Sequence, residues 1–375
     1  MISLKSSFIK SFKFFDNLLI LLSIFLYSFH CDAFAQILSI KGQFEFGALT
    51  SNDIPDSWRS YESFIGYIPT LSLGKEISSN QLLDAEWAYH LKRYYAEDSL
   101  FNYHETNHRL WVRYSNEKIE ARLGLQKIVF GPTQILRPLS WFDTFDIKNP
   151  TGQTDGVEAL RVRWFPSNNT ALSSWVINNR LDTLTFGGRG EITTEIGEFG
   201  FTYHHDPSKS IRSIGQLEIP VNNSHDRIAF DYRFDGFIGF WNESALVKSH
   251  KSTVGLFTVG ADYTLPIFNG ILIMAESMRI SSEYNNKTSR QNYSVFMTSL
   301  PVGMIHQAMY ISQIDWKDRK TYQYLRWSST YDTYSLNMII SVNPKRNQYN
   351  IPVNSLPRSL SGFGTGVQFM FIYNH

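Results

Sequence analysis

The sequence holds one cysteine in 375 residues, few charges, and no apolar run beyond its first 35 residues that is long enough for a membrane helix. Cys31 lies within those 35 residues, so the rest of the chain has no thiol. That excludes disulfides, cysteine–metal sites and cysteine nucleophiles from the remainder. Charged residues make up 18%, below the usual ~25%. The formal net charge is +1 and no Lys/Arg cluster stands out, which excludes an electrostatic footprint for nucleic acid. Disorder is excluded by an aromatic content of 15%, because disordered chains carry few aromatics and a high net charge. Internal repeats, heptads and Pro/Ser/Gly linkers are also missing, so the chain reads as one domain.

The first 35 residues have a different character. Lys5, Lys10 and Lys13 precede an apolar stretch from Leu18 to Phe29, and Ala33-Phe34-Ala35 forms a small-x-small cleavage site before Gln36. This is the pattern of a secretory signal peptide over 1–35. The apolar stretch falls short of the ~20 residues a membrane-crossing helix needs. A lipoprotein signal at Cys31 is disfavoured by His30, which stands where such signals carry a small residue. Cleavage would remove three lysines and two acids (Asp16 and Asp32) from totals of 35 and 34, leaving equal numbers of each sign.

From Gln36 onward the sequence alternates with period two. In 83–91 one face reads Leu83, Ala85, Trp87, Tyr89, Leu91 and the other Asp84, Glu86, Ala88, His90. Residues 119–126 and 228–234 behave alike, with Ile119, Ala121, Leu123, Leu125 and Ile228, Phe230, Tyr232, Phe234 on their apolar faces. About 18 such segments follow one another: 37–49, 60–73, 81–95, 105–115, 118–130, 156–165, 171–178, 188–195, 198–206, 226–234, 237–248, 253–265, 270–281, 291–299, 303–314, 319–329, 333–343 and 363–374. Sixteen strands also fit, and 211–220 has room for a further strand pair.

Connections alternate in length. Tight ones occur at Asn116-Glu117, Gly197, Asp235-Gly236, Phe268-Asn269-Gly270, Pro301-Val302-Gly303 and Tyr331-Asp332. Longer ones occupy 50–59, 96–104, 131–155, 207–225, 283–290 and 344–362, while 249–252 and 315–318 break the rule. Short turns on one rim and long loops on the other are the layout of outer-membrane barrels. The expected fold is therefore all-β: one antiparallel transmembrane β-barrel over 36–375, with short periplasmic turns and longer extracellular loops.

Aromatics near strand ends, Tyr89, Trp164, Trp241, Tyr263 and Tyr373, suit the interfacial girdles of such a barrel. The last segment places Val367, Phe369, Phe371 and Tyr373 on one face and ends at His375. It resembles the C-terminal β-signal of outer-membrane proteins, with His375 in place of the usual terminal Phe. That resemblance implies the barrel-assembly machinery as a partner, alongside outer-membrane lipid and lipopolysaccharide.

On three successive strands the polar face carries Arg109, Arg113, Arg122, Arg161 and Arg163. Arginine facing lipid costs ~2–4 kcal/mol near the midplane. These side chains are expected in the lumen, as a basic ladder on one wall. The long connection 131–155 follows directly, with Gly131-Pro132, Arg137-Pro138, Trp141-Phe142-Asp143-Thr144-Phe145-Asp146 and Asn149-Pro150. Long ordered loops are usually functional. This one is expected to fold into the barrel, with Asp143 and Asp146 opposite the arginines so that a transverse field selects solutes. The alternative is an external cap.

The stretch Leu123-Gly124-Leu125-Gln126-Lys127-Ile128-Val129-Phe130-Gly131, with Arg137-Pro138 and Phe142-Asp143…Asp146, resembles porin-like outer-membrane barrels of the alginate-export-like and Bacteroidota porin groups. Their pattern is a strand ending Gly-Arg-Gln-x-Ile-x-Trp-Gly, a Pro- and Asp-rich loop, and a glycine opening the next strand, here Gly156. Leu125 and Phe130 stand where Arg and Trp are common. The likeness covers about 40 residues and implies lumen positions for Gln126, Arg137, Asp143 and Asp146.

Other motifs carry little chemistry. His204-His205-Asp206 puts adjacent histidines on opposite faces of a strand, which suits no shared metal. Gly362-Phe363-Gly364-Thr365-Gly366 lacks the Lys-Ser/Thr pair and following helix of a phosphate loop. His90 and His306 have no nucleophile at a telling spacing, and no Gly-x-Ser-x-Gly elbow occurs. The sequence predicts neither an enzyme nor a cofactor or metal. It predicts a Gram-negative outer-membrane channel for passive diffusion of small hydrophilic solutes. A dedicated pore for an acidic polysaccharide, a closed structural or adhesive barrel and a soluble secreted β protein are the alternatives. Oligomeric state is left open.

Overall fold

The computed structural model describes residues 36–54, 58–179, 183–209, 211–214, 219–250, 252–284, 287–344 and 359–375. Residues 1–35, the segment expected to be a signal peptide and the one that holds Cys31, lie outside the described residues. The strands in chain order are β1 (Gln36–Ser51), β2 (Tyr61–Ser78), β3 (Gln81–Ala96), β4 (Ser99–Asn116), β5 (Ile119–Gln126), β6 (Val157–Ser167), β7 (Thr170–Asn178), β8 (Leu184–Thr194), β9 (Gly197–Asp206), β10 (Ile211–Ile214), β11 (Ile219–Asn222), β12 (His225–Asp235), β13 (Gly239–Ser249), β14 (Ser252–Leu265), β15 (Ile271–Tyr284), β16 (Lys287–Val302), β17 (His306–Asp315), β18 (Lys320–Thr330), β19 (Tyr334–Val342) and β20 (Thr365–Asn374).

Every barrel strand pairs antiparallel with its sequence neighbours, except that β9 pairs with β12 and β20 returns to β1. That last pairing, from Gln43↔Asn374 to Ser51↔Gly366, closes an 18-stranded barrel. Closure leaves no exposed sheet edge. β10 and β11 form a separate hairpin inside the connection from β9 to β12, where the sequence has room for a strand pair.

Both termini of the barrel lie at one rim, and every connection at that rim is two to five residues long. The opposite rim carries 52–60, 127–156, 207–224 and 343–364. Two expected long loops, 96–104 and 283–290, are instead continuous with tall hairpins, since β3 and β4 turn at 97–98 and β16 begins at Lys287. Residues 99–106 and 287–290 are exposed on both strand faces. A strand solvated on both sides has no reason to alternate, so its sequence does not announce it. Ser60 donates to Glu97 through its amide (3.1 Å) and its hydroxyl (2.9 Å), tying this turn to the β1–β2 loop. Those two bonds hold the Glu97 carboxyl below the usual carboxylate range.

The outer surface follows the expected parity over most of the circumference. Ile228 and Phe230 on β12 face outward, as do Val367, Phe369, Phe371 and Tyr373 on β20. Trp241 is a correction. It points inward, is buried, and donates from its indole nitrogen to Glu276 (3.2 Å), while Phe240 takes the outer position. The reason is that the barrel contains an apolar core. Trp175, Trp241, Val247, Leu256, Met274, Met278, Val295 and Met297 line the inside of one half and pack on Ile128, Phe130, Leu136 and Leu139. There the inner face is at least as apolar as the outer, and hydrophobic parity no longer tells the two apart. On β15 the outer face even reads Ala275, Ser277, Arg279, all exposed.

Candidate functional site: a lumen divided by an inserted loop

β5 ends at Gln126, four residues before the strand expected from the sequence (118–130). Gly124 has φ +120°, and a Cβ there would run into the Leu110 carbonyl of β4. The Gln126 amide nitrogen turns back to donate to the carbonyls of Ala159 (2.9 Å) and Arg122 (3.2 Å). Gln126 therefore pins the wall at the point where the chain leaves it. Residues 127–156 then enter the barrel.

Two glutamates hold the inserted loop. Glu276, midway along β15, accepts the amides of Gln134 (2.7 Å), Ile135 (3.1 Å) and Leu136 (2.7 Å). Glu243, midway along β13, accepts the amide (3.2 Å) and hydroxyl (2.5 Å) of Thr133 and the amide of Leu139. Gly131 sits against the Glu243 carboxylate at φ +81°, so any side chain there would displace it. Each glutamate side chain thus gathers three donors of the loop at one point of the wall. From Ile147 onward the loop reaches the far wall. The Gln43 amide of β1 donates to the Thr151 carbonyl (3.5 Å), the Tyr324 hydroxyl of β18 to the Lys148 carbonyl (2.6 Å), and Arg109 Nη2 of β4 to the Thr154 carbonyl (2.6 Å).

Asp143 and Asp146 do not face the arginine ladder, which corrects the expected opposition of charges. Asp143 is buried against Arg137 of the same loop, with Nη1–Oδ1 at 2.5 Å and Nη2–Oδ2 at 3.3 Å. It also accepts the Phe145 amide (3.0 Å). Asp146 accepts the Lys148 amide (2.9 Å) and lies on the side of the loop turned towards β18. Arg137 likewise serves the loop's own fold, since its side chain is only 2% exposed. Removing one partner of a buried ion pair strands the other charge, at ~3–5 kcal/mol. Arg137→Met is expected to lower the unfolding free energy of the loop by about that much. Accelerated protease cleavage within 131–155, with the β-sheet circular dichroism unchanged, is the readout.

The five arginines of the ladder all point inward. Arg113, Arg122 and Arg161 stand directly opposite one another in register across β4, β5 and β6. Like charges so placed repel. Asp84 grips Arg113 in two hydrogen bonds (2.9 and 2.6 Å), and Glu120 lies 3.5 Å from both Arg113 and Arg122. Arg122 also stacks 4.5 Å from the Trp111 ring. Arg163 lies 3.9 Å from Glu191. Arg161 has no carboxylate within 4 Å among the described residues, and its guanidinium instead sits 5.7 Å from the Phe130 ring. The ladder's counter-charges thus come from neighbouring strands, while the loop offers it one aromatic ring, Phe130, and one carbonyl, that of Thr154.

The row continues on strands where no run of arginines marks it. On β8, Arg189 binds Asp231 of β12 through two hydrogen bonds (2.6 and 2.9 Å) and Thr202 through a third (2.8 Å). Arg227 lies 5.6 Å from the Trp141 ring. Among the residues that shape the lumen, Glu243 and Glu276 were the hardest to see. Each is an isolated acid between apolar neighbours at the same parity, and that isolation was the available signal. His204 and His205 point to opposite faces, His204 accepting from Trp175 (3.1 Å) and His205 bonding to Asp226 (2.8 Å).

Between the loop and the opposite wall, formed by β1–β4 and β17–β20, a cavity of about 650 Å³ remains, bordered at the long-loop rim by Ser359 and Ser361. The lumen is therefore divided. One half is packed with apolar side chains and loop, and the other keeps this cavity, lined by polar and apolar side chains together.

No family model and no curated protein sequence matches the chain. Solved structures do. Two engineered variants of the Rhodopseudomonas blastica porin align with it at TM-scores of 0.50, each over 90% of this chain and 100% of the variant, at 9% and 7% identity. At such identities the likeness is one of architecture. The chain has the fold of a porin-like barrel, a closed antiparallel sheet of 18 strands.

Proposed function

We propose that this protein is an outer-membrane channel for passive diffusion of small hydrophilic solutes. The observation that carries the reading is the inserted loop, anchored halfway down the wall by Glu243 and Glu276, with a cavity of about 650 Å³ left beside it. A loop that only capped the barrel would have no need of anchors at that depth. The passage fixes the size limit, and the ladder of Arg109, Arg113, Arg122, Arg161 and Arg163 orients charged solutes and favours anions. The role is one of binding and passage, with no chemistry performed on the solute. The C-terminal residues Val367 to His375 serve as the assembly signal read by the barrel-assembly machinery, and lipid and lipopolysaccharide surround the outer face.

A second reading, a dedicated pore for an acidic polysaccharide, draws on the in-register row Arg113, Arg122, Arg161. Single-channel recording of the detergent-purified protein in a planar bilayer under a salt gradient tests the first. Steady conductance with a modest anion preference is expected. Insertion without conductance, even after deletion of 131–155, would eliminate the channel and leave a structural barrel. Conductance blocked at micromolar oligouronate would move the weight to the second reading.

A further inference from the structure

The cavity beside the loop has a composition unlike the rest of the lumen, and its chemistry narrows what it holds. Four charged residues border it, and each is neutralised by a protein partner. Lys92 lies 2.6 Å from Glu45, Lys148 lies 3.7 Å from Asp146, and Glu62 is bound by Arg59. Lys92 further turns its ammonium over the Phe64 ring at 4.3 Å. No uncompensated charge is left to attract an ion.

What is left over is neutral. Gln313 on β17, Gln368 on β20 and Tyr322 on β18 border the same cavity. None of the three has a side-chain hydrogen bond to another described residue. This contrasts with the arginine wall, where side chains bind one another. A primary amide offers donors and an acceptor side by side. Vicinal hydroxyl groups, which also donate and accept, match that pairing, whereas an anion asks only for donors and a cation only for acceptors. Apolar surface comes from Phe64, Phe101, Ile311 and Met370, and suits the C–H faces of a pyranose ring. The volume falls within the ~300–1,000 Å³ typical of small-molecule sites.

We infer that this cavity is a binding subsite for an uncharged, polyhydroxylated solute the size of a mono- or disaccharide. The inference rests on the channel reading and gives it a substrate class. Solutes entering from the long-loop rim dwell here before they pass the loop. The unpaired amides exchange water for hydroxyl groups, and the loop segment 146–150 forms the floor.

Isothermal titration calorimetry of the detergent-purified protein with sucrose, maltose and raffinose tests this without requiring conductance. Saturable binding of at least one sugar is expected, with sodium gluconate and choline chloride giving no saturable heat at the same concentrations. Gln313→Ala with Gln368→Ala should weaken sugar binding about tenfold or more, the loss of two neutral hydrogen bonds. Neither amide holds another residue, so the variant should keep its heat-stable migration on gels. Tyr322→Phe, which removes only a hydroxyl, should weaken binding less. No saturable binding by any of the three sugars overturns the inference, as does equal binding by gluconate or an unchanged affinity in the double variant. A barrel that conducts but binds no sugar removes the subsite and keeps the channel. A barrel that binds sugar without conducting does the reverse.

Discussion

Replacing both Glu243 and Glu276 by alanine is expected to free the inserted loop and raise single-channel conductance by at least about twofold, because a pore's current is set at its narrowest section. Glu276 accepts three loop amides and the Trp241 indole, and Glu243 accepts two further amides and a hydroxyl. No other anchor holds the stretch from Thr133 to Leu139 so densely. A buried acceptor whose loss leaves donors unpaired costs ~1–3 kcal/mol for each of them. The loop escapes that cost by leaving the wall and hydrating. The strand ladder does not depend on either carboxylate, so the barrel stays closed while the loop moves. Glu276→Gln keeps an oxygen acceptor and should raise conductance far less. An unchanged current in the double-alanine protein, with the loop newly open to protease, would mean that the loop does not limit flow.

Much of the fold was legible from Gln36 onward because a closed barrel imposes one rule on every strand. All 18 barrel strands overlap alternating segments, and the spacing of turns distinguishes the two rims. The rule fails in two places, for physical reasons. Beyond the apolar band both faces of a strand meet water, and β4 from Ser99 to His104 reads as a loop. In the half filled by the inserted loop both faces meet apolar groups, and Trp241 reads as outward. The entry of the loop could be guessed from its aromatics, since Trp141 and Phe142 need cover. Its orientation could not. Asp143 follows Arg137 by six residues, a spacing that only a folded loop brings together. The arginine ladder was visible because five cations at one parity exclude the outer face. The subsite bordered by Gln313 and Gln368 left no sequence mark, since its amides come to border one cavity only when the barrel has closed.

Removing the charges of Arg122, Arg161 and Arg163 together is expected to turn the channel's preference from anions to cations. Five arginines of β4–β6 and Arg189 of β8 share this part of the lumen with Asp84, Glu86, Glu120, Glu191 and Asp231, a slight positive excess. The triple alanine variant leaves three arginines against five acids. Asp143 and Asp146 add little to this balance, because Asp143 is bound to Arg137 and Asp146 lies on the opposite side. The sheet should tolerate the change. Relief of like-charge repulsion across β5 and β6 offsets the lost stacking of Arg122 on Trp111, worth ~0.5–1 kcal/mol. The measurement is the reversal potential under a tenfold KCl gradient, whose sign should invert. Screening supplies an internal control: the Debye length falls from ~10 Å at 0.1 M to ~3 Å at 1 M, so the difference between wild type and variant should shrink as salt rises. A reversal potential of unchanged sign and size at low salt would take the ladder out of the conducting path. The positive row would then be a feature of the wall alone, and the route of ions would have to be sought along β17 to β20, where the charges are already paired.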